Sequence, residues 1–242
     1  MRDFENLKIE NKCLNCEMRS ENYFCNLSET SKKVFESLQI TNYYPKDSRL
    51  FVEGQPSNGI YILCSGRVKL STCSKDGRVI ILHIAEPGEV LGLSATVSDS
   101  FHIATAEAIE PCRVNFVRNT NFLNFLEHNA EACLNVVRQL SQNYQTACLQ
   151  ICALGLSATV ADKLATLFLG WCKASYQDSD GIHLNISYTH EELAQMIGTS
   201  RETVTRLLKR FSDRKLIKRN GSEFIIPDKN ELEAMIGTRQ KV

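Results

Sequence analysis

The sequence predicts an α+β fold in two parts, a body of short strands followed by helices that end in a winged helix-turn-helix. Three observations carry this. From Tyr43 to Phe116, short apolar runs alternate with turn residues. From Cys133 to Leu154, apolar residues recur in alternating steps of four and three. From Thr189 to Ile226, a helix, a glycine turn, a second helix and a hairpin follow in order.

Residues 1–30 are polar, carry Cys13, Cys16 and Cys25, and show little periodicity. Thr30 to Ile40 has helical spacing, with Val34, Phe35, Leu38 and Ile40 on the buried side. Arg49–Gly54, Gly59–Leu63, Arg67–Leu70, Val79–Ile84 and the stretch Ala104–Val117 read as strands. Gly54, Ser65-Gly66, Asp76-Gly77 and Pro87-Gly88 punctuate them, which means a β-sandwich or barrel.

The long seam is Cys133, Val137, Leu140, Tyr144, Ala147, Ile151 and Leu154. Two copies could bury it as a coiled coil, so it reads as a dimer helix; the plainer alternative is a helix packed on its own domain. Gly155-Leu-Ser reads as a hinge. Val160–Ala174 is an amphipathic helix with Leu164, Leu167, Phe168 and Trp171 toward a core. Gln177–Gly181 reads as a loop and Ile182–Ser187 as a strand.

In the next stretch, Thr189 caps one helix and Glu192 completes a capping box. The turn is Gly198, and Thr199 or Ser200 caps the second helix. Leu193, Ala194, Ile197, Val204, Leu207 and Leu208 hold the pair together. Arg201, Glu202, Thr205, Arg206 and Lys209 are left to the exposed side. A short helix opening on Arg and Glu suits the DNA major groove, where Arg can donate two bonds to guanine and Glu can accept from cytosine. Leu216–Ile226, turning at Asn220-Gly221, reads as a hairpin wing.

Composition agrees. The chain has 242 residues, 43% hydrophobic, with a formal net charge of zero. That zero hides an asymmetry: residues 201–219 hold eight Lys/Arg against Glu202 and Asp213. A basic face of this kind is what phosphate binding needs, although a charge run alone is usually just a solvated face. The polar start and the lack of a long apolar run predict a cytoplasmic protein with no membrane span. Ten cysteines in that setting point to metal binding, redox chemistry or plain burial, not a disulfide framework.

This order of elements resembles the CRP/FNR family of bacterial transcription regulators. The resemblance rests on Thr199-Ser-Arg-Glu-Thr-Val-Thr-Arg206, Leu63-Cys-Ser-Gly-Arg-Val-Lys-Leu70 and Pro87-Gly-Glu-Val-Leu-Gly-Leu93. It implies a β-roll sensor domain of the cyclic-nucleotide-binding type over 31–127 and a dimerisation helix over 128–155. A winged helix-turn-helix domain over 156–242 would follow. It implies a homodimer on double-stranded DNA, contacts with RNA polymerase, and Arg201, Glu202 and Arg206 reading bases. The Arg-Glu pair is similar to the cyclic-AMP receptor branch, which predicts a palindrome with TGTGA-like half-sites.

The sensor end is similar to a different branch. Cyclic-AMP binders carry Glu where this chain has Leu93, and Arg-Ser or Arg-Thr where it has Ser100-Phe-His-Ile103. Cyclic AMP is therefore not the expected ligand. Cys13, Cys16, Cys25 and Cys112 resemble the four thiolates that hold an oxygen-labile 4Fe–4S cluster in the FNR branch. The gap between Cys16 and Cys25 is longer than that branch usually has. The same four residues suit tetrahedral zinc or thiol redox sensing, and Cys64, Cys73, Cys133, Cys148, Cys152 and Cys172 read as small apolar fillers. His83 and His102 raise haem as a further option. The competing class is a thiol oxidoreductase using Cys13-Leu-Asn-Cys16, but that motif does not open a helix after a strand as such chemistry requires. The chain is expected not to be an enzyme.

Overall fold

The computed structural model describes residues 24–157, 159–172, 176–184, 188–220 and 223–237. Cys13, Cys16 and the Gly221 turn lie outside the described residues. The chain divides into two compact units, one up to Gly77 with Ile81–Thr146, the other Arg78–Ile80 with Ala147 onward.

The first unit is a roll of two four-stranded sheets. One is ordered β1 (Ile40–Tyr44), β8 (Cys112–Arg118), β3 (Gly59–Ser65), β6 (Val90–Leu91). The other is ordered β2 (Arg49–Phe51), β7 (Thr105–Ala108), β4 (Val68–Cys73), β5 (Val79–Ala85). Side chains alternate along a strand, so β3 serves two cores. Leu63 joins Leu50, Phe51, Val68, Leu91 and Val114 in one buried cluster. Ile60 and Ile62 join Phe35, Phe122, Phe125 and Val136 in another, with helices.

Those helices are α1 (Glu29–Ser37), α3 (Asn119–His128) and the start of α4 (Ala130–Leu156). Ser28 caps α1 and donates its hydroxyl to Glu131 at 2.6 Å. One face of α4 is buried through Ala132, Asn135, Val136 and Gln139. Asn135 donates its amide to the carbonyls of Phe24 and Asn26, and Gln139 to that of Val90.

The second unit has a sheet ordered β11 (Lys218–Asn220), β12 (Glu223–Ile226), β10 (Gly181–Leu184), β9 (Tyr176–Asp178). Around it lie α5 (Val160–Trp171), α6 (His190–Ile197), α7 (Arg201–Asp213) and α8 (Lys229–Gly237). Leu164, Phe168, Leu184, Leu193, Val204 and Phe211 form its core.

Several elements differ from the sequence reading. Ile40 begins β1 instead of ending α1, because Leu38 already caps the helix. Gln177 and Asp178 lie in β9, not a loop, paired to β10 despite their polarity. The helix α2 (Leu93–Val97), α3 and α8 were not anticipated. Gly155 is the penultimate residue of α4, so the helix runs through the expected hinge and ends at Leu156.

His183 binds three strands of the wing sheet together. Its Nε2 meets Asp178 of β9 and its Nδ1 meets Glu223 of β12, each at 2.9 Å, while its ring stacks on Tyr176. The hydrogen bond to Glu223 leads in raising its pKa above 6.5, helped by Asp178. A raised folded-state pKa means that the imidazolium stabilises the fold below the ordinary value and that this contribution fades as pH rises through the raised one. His183→Gln should therefore cost more stability at about pH 6 than at about pH 9, as read by denaturant unfolding at the two values.

Candidate nucleic-acid interface and the sensor fold

The interface is built by α6 and α7. Thr189 and Glu192 form the expected capping box on α6. Gly198 ends the helix in the left-handed region, at φ 66° and ψ 47°, where residues with a Cβ are strained. Ser200 then caps α7 by accepting from the Thr203 N–H. With both helix ends fixed, Val204, Leu207, Leu208 and Phe211 go into the core. The spacing of one turn puts Arg201, Glu202, Thr205, Arg206 and Lys209 together on the exposed side.

None of Arg201, Arg206 and Lys209 joins an ion pair among the described residues. Arg201 and Glu202 occupy the first turn of α7, where the helix dipole adds positive potential. Glu202 is held ionised by hydrogen bonds to backbone N–H and Ser200, with Arg201 adding to the effect. Thr205 donates its hydroxyl to the Arg201 carbonyl, and His190 of α6 contacts that hydroxyl at 2.8 Å. Burial, then Arg219 and Arg201, lower the His190 pKa, so it is neutral and places Thr205. His190 escaped the sequence reading, which had counted Arg219 only as part of the basic run. A polar residue at the first helical position is an ordinary sight, and only the fold brings it beside Thr205.

On the sensor side, Leu93 is buried in the apolar cluster beneath the helices. His102 stacks on Phe51 with ring centroids 3.9 Å apart, and burial lowers its pKa. A neutral, stacked imidazole supplies no charge for a phosphate. Phe101 and Ile103, on either side of it, are exposed. His83 is held by Glu89 at 2.7 Å.

The described cysteines do not form a ligand set. Cys112 is fully buried in the roll, its thiol donating toward the carbonyls of Glu110 and Arg67. Burial foremost, then the Glu110 charge, pushes its pKa up to about 11. Gly66 closes over it so tightly that a Cβ there would sit 2.6 Å from the sulfur. Cys25 packs against the other cluster of the first unit. Among the described residues no cluster of three metal-ligating side chains occurs. Cys112 thus sits in the core of the roll, while Cys13 and Cys16 lie outside the described residues.

The predicted seam is divided. Val137, Tyr144 and Ile151 are 56%, 71% and 69% exposed, and Ala147 is exposed, so they do not pack on their own unit. Leu140 is half-buried against the first unit's core. The Leu154 side chain lies outside the described residues.

A roll with an appended helix, followed by a winged helix-turn-helix with a bare basic face, defines a two-domain DNA-binding regulator. Residues 41–129 match the cyclic nucleotide-binding domain family and residues 162–235 match the Crp-like helix-turn-helix domain. The chain belongs to the CRP/FNR family of transcription regulators and is not an enzyme. It is 26% identical over 184 residues to the cAMP-activated global transcriptional regulator CRP of Pasteurella multocida, covering 76% of this chain and 88% of that one. The CRP-like cAMP-activated global regulator of Mycobacterium tuberculosis is 25% identical over 190 residues, covering 78% and 84%. A CooA mutant from Carboxydothermus hydrogenoformans shares the fold, with a TM-score of 0.76 at 22% identity over 90% of this chain and 98% of that one.

Removing one guanidinium from the exposed face should weaken specific binding. Arg201→Ala or Arg206→Ala is expected to lose about 1–3 kcal/mol, or roughly 5- to 150-fold, in fluorescence anisotropy titrations on operator DNA.

Proposed function

We propose that this regulator is a homodimer that reads a palindrome with TGTGA-like half-sites, using Arg201 and Arg206 on guanines and Glu202 on cytosine. The observation that carries the reading is the uncompensated Arg-Glu-Arg face of α7 above a core that fixes its orientation. Thr205 and Lys209 serve the backbone and flanking contacts. Two-fold pairing along Val137, Leu140, Tyr144, Ala147, Ile151 and Leu154 would set two recognition helices about one DNA turn apart. Its place is the cytoplasm, with RNA polymerase as a partner; no described helix is long and apolar enough to cross a membrane.

Although relatives are cAMP-activated, we propose that this chain does not answer to cyclic AMP. Leu93 gives the ribose hydroxyl no acceptor, and His102 offers no cation. Calorimetry showing tight cyclic-AMP binding would reverse this. For the signal we propose oxygen or redox state, acting through a 4Fe–4S cluster with Cys13, Cys16, Cys25 and Cys112 as its ligands.

Binding-site selection on the whole protein is expected to return TGTGA-type palindromes; TTGAT-type half-sites would sink the base assignment. The double substitution Val137→Glu, Ile151→Glu should give a monomer in sedimentation and lose cooperative binding to the full palindrome. For the signal, air exposure should change operator affinity in the wild type but in neither Cys13→Ser nor Cys112→Ser. Iron and sulfide analysis of anaerobically purified protein accompanies that titration, and an affinity indifferent to air would remove redox control.

A further inference from the structure

The two helices of the reading unit are joined by a hydrogen-bonded pair, His190 and Thr205. His190 is the first residue of α6, whose start is fixed by the capping box of Thr189 and Glu192. Its Nδ1 lies 2.8 Å from the Thr205 hydroxyl of α7. That hydroxyl has one proton, and it goes to the Arg201 carbonyl at 2.9 Å. Nδ1 is therefore the donor, which fixes the tautomer of a ring that burial and the charges of Arg219 and Arg201 keep neutral. The pair is held in place because Leu193, Ala194 and Ile197 of α6 share one core with Val204, Leu207 and Leu208 of α7.

These bonds decide what Thr205 offers to its surroundings. A threonine has a hydroxyl and a methyl on the same carbon, and rotation about χ1 exchanges their places. In the major groove the two groups read differently. A free hydroxyl can bond to more than one base, whereas a methyl packs against the C5-methyl that only thymine carries. The Thr205 hydroxyl is engaged on both sides, donating to Arg201 and accepting from His190. The residue is nevertheless exposed, beside Arg201, Glu202 and Arg206, which are exposed too. The group left at its open end is the methyl.

We propose that His190 is a positioning residue that turns the Thr205 methyl toward a thymine in each half-site, so that a side chain of α6 sets discrimination at a base pair read by α7. The flanking contact of Thr205 then takes a definite chemical form. This contact rests on the proposed base-reading role of α7. Without the imidazole, nothing on α6 holds the hydroxyl inward, a second rotamer becomes populated, and the preference for thymine declines although every side chain of α7 is unchanged.

The test uses the full chain and operator DNA in which each thymine is replaced in turn by uracil, which lacks only the C5-methyl. Fluorescence anisotropy at one fixed salt concentration reads each affinity. At one position per half-site, uracil is expected to weaken wild-type binding about fourfold, the worth of one buried methyl-sized group. Thr205→Ser, which keeps the hydroxyl and lacks the methyl, should show no penalty at that position. His190→Ala should shrink the penalty, and His190→Asn, whose amide nitrogen can take the place of Nδ1, should restore it. The readout is a ratio of two affinities for one protein, so a uniform loss of DNA binding does not move it. In parallel, 7-deazaguanine, which lacks the N7 acceptor, replaces the guanines. If that change has no effect, the base-reading role of α7 fails and the thymine contact falls with it. Guanine sensitivity with no thymine whose penalty changes in Thr205→Ser overturns the thymine contact alone. A full penalty in His190→Ala overturns the role of His190.

Discussion

The helix α4 buries one face in its own chain and leaves apolar side chains exposed on the other, and much of the molecule follows from that. One face is tied down by packing and by amide bonds from Asn135 and Gln139, so its rotation about its own axis is fixed. The other then has to present Val137, Tyr144 and Ile151 outward. Burying each such side chain is worth about 1.5–3 kcal/mol, and a polar partner surface would not recover it. The amides matter as much as the apolar residues here. Without directional bonds on the inner face, the helix could roll and hide its seam.

How far the sequence disclosed this depends on the kind of signal. The capping box at Thr189 and Glu192, the glycine at 198 and the buried set from Leu193 to Leu208 were readable because each is local chemistry. The exposed set from Arg201 to Lys209 followed from the same periodicity. What escaped was long-range. Polar Gln177 and Asp178 become a strand only because β10 is there to pair with them. Leu140 keeps the heptad spacing, yet it leans on the roll because Leu126 and Val136 also face that core. Cys112 could be picked out by position, but only the roll shows how closely Gly66 packs on its sulfur.

The input and output ends of the molecule are thus built on different principles. The α7 face offers Arg201, Arg206 and Lys209, exposed and in no ion pair among the described residues. In the roll, three residues of interest turn inward: Leu93 to an apolar cluster, His102 to a ring stack, Cys112 to carbonyls. Such a core gains rigidity and gives up chemistry. Open polar groups in the roll lie instead where the strand ends meet α3.

The formal charge of zero beside a bare basic helix has a kinetic consequence. A protein with a large positive net charge is drawn to DNA from any direction. A neutral one has a field that is mainly dipolar and falls off steeply, and ions at physiological strength screen it beyond about 8 Å. Attraction then begins only when the α7 face is already turned toward the duplex. Encounters in other orientations separate without being captured, so the charge distribution filters collisions by angle before any base is read.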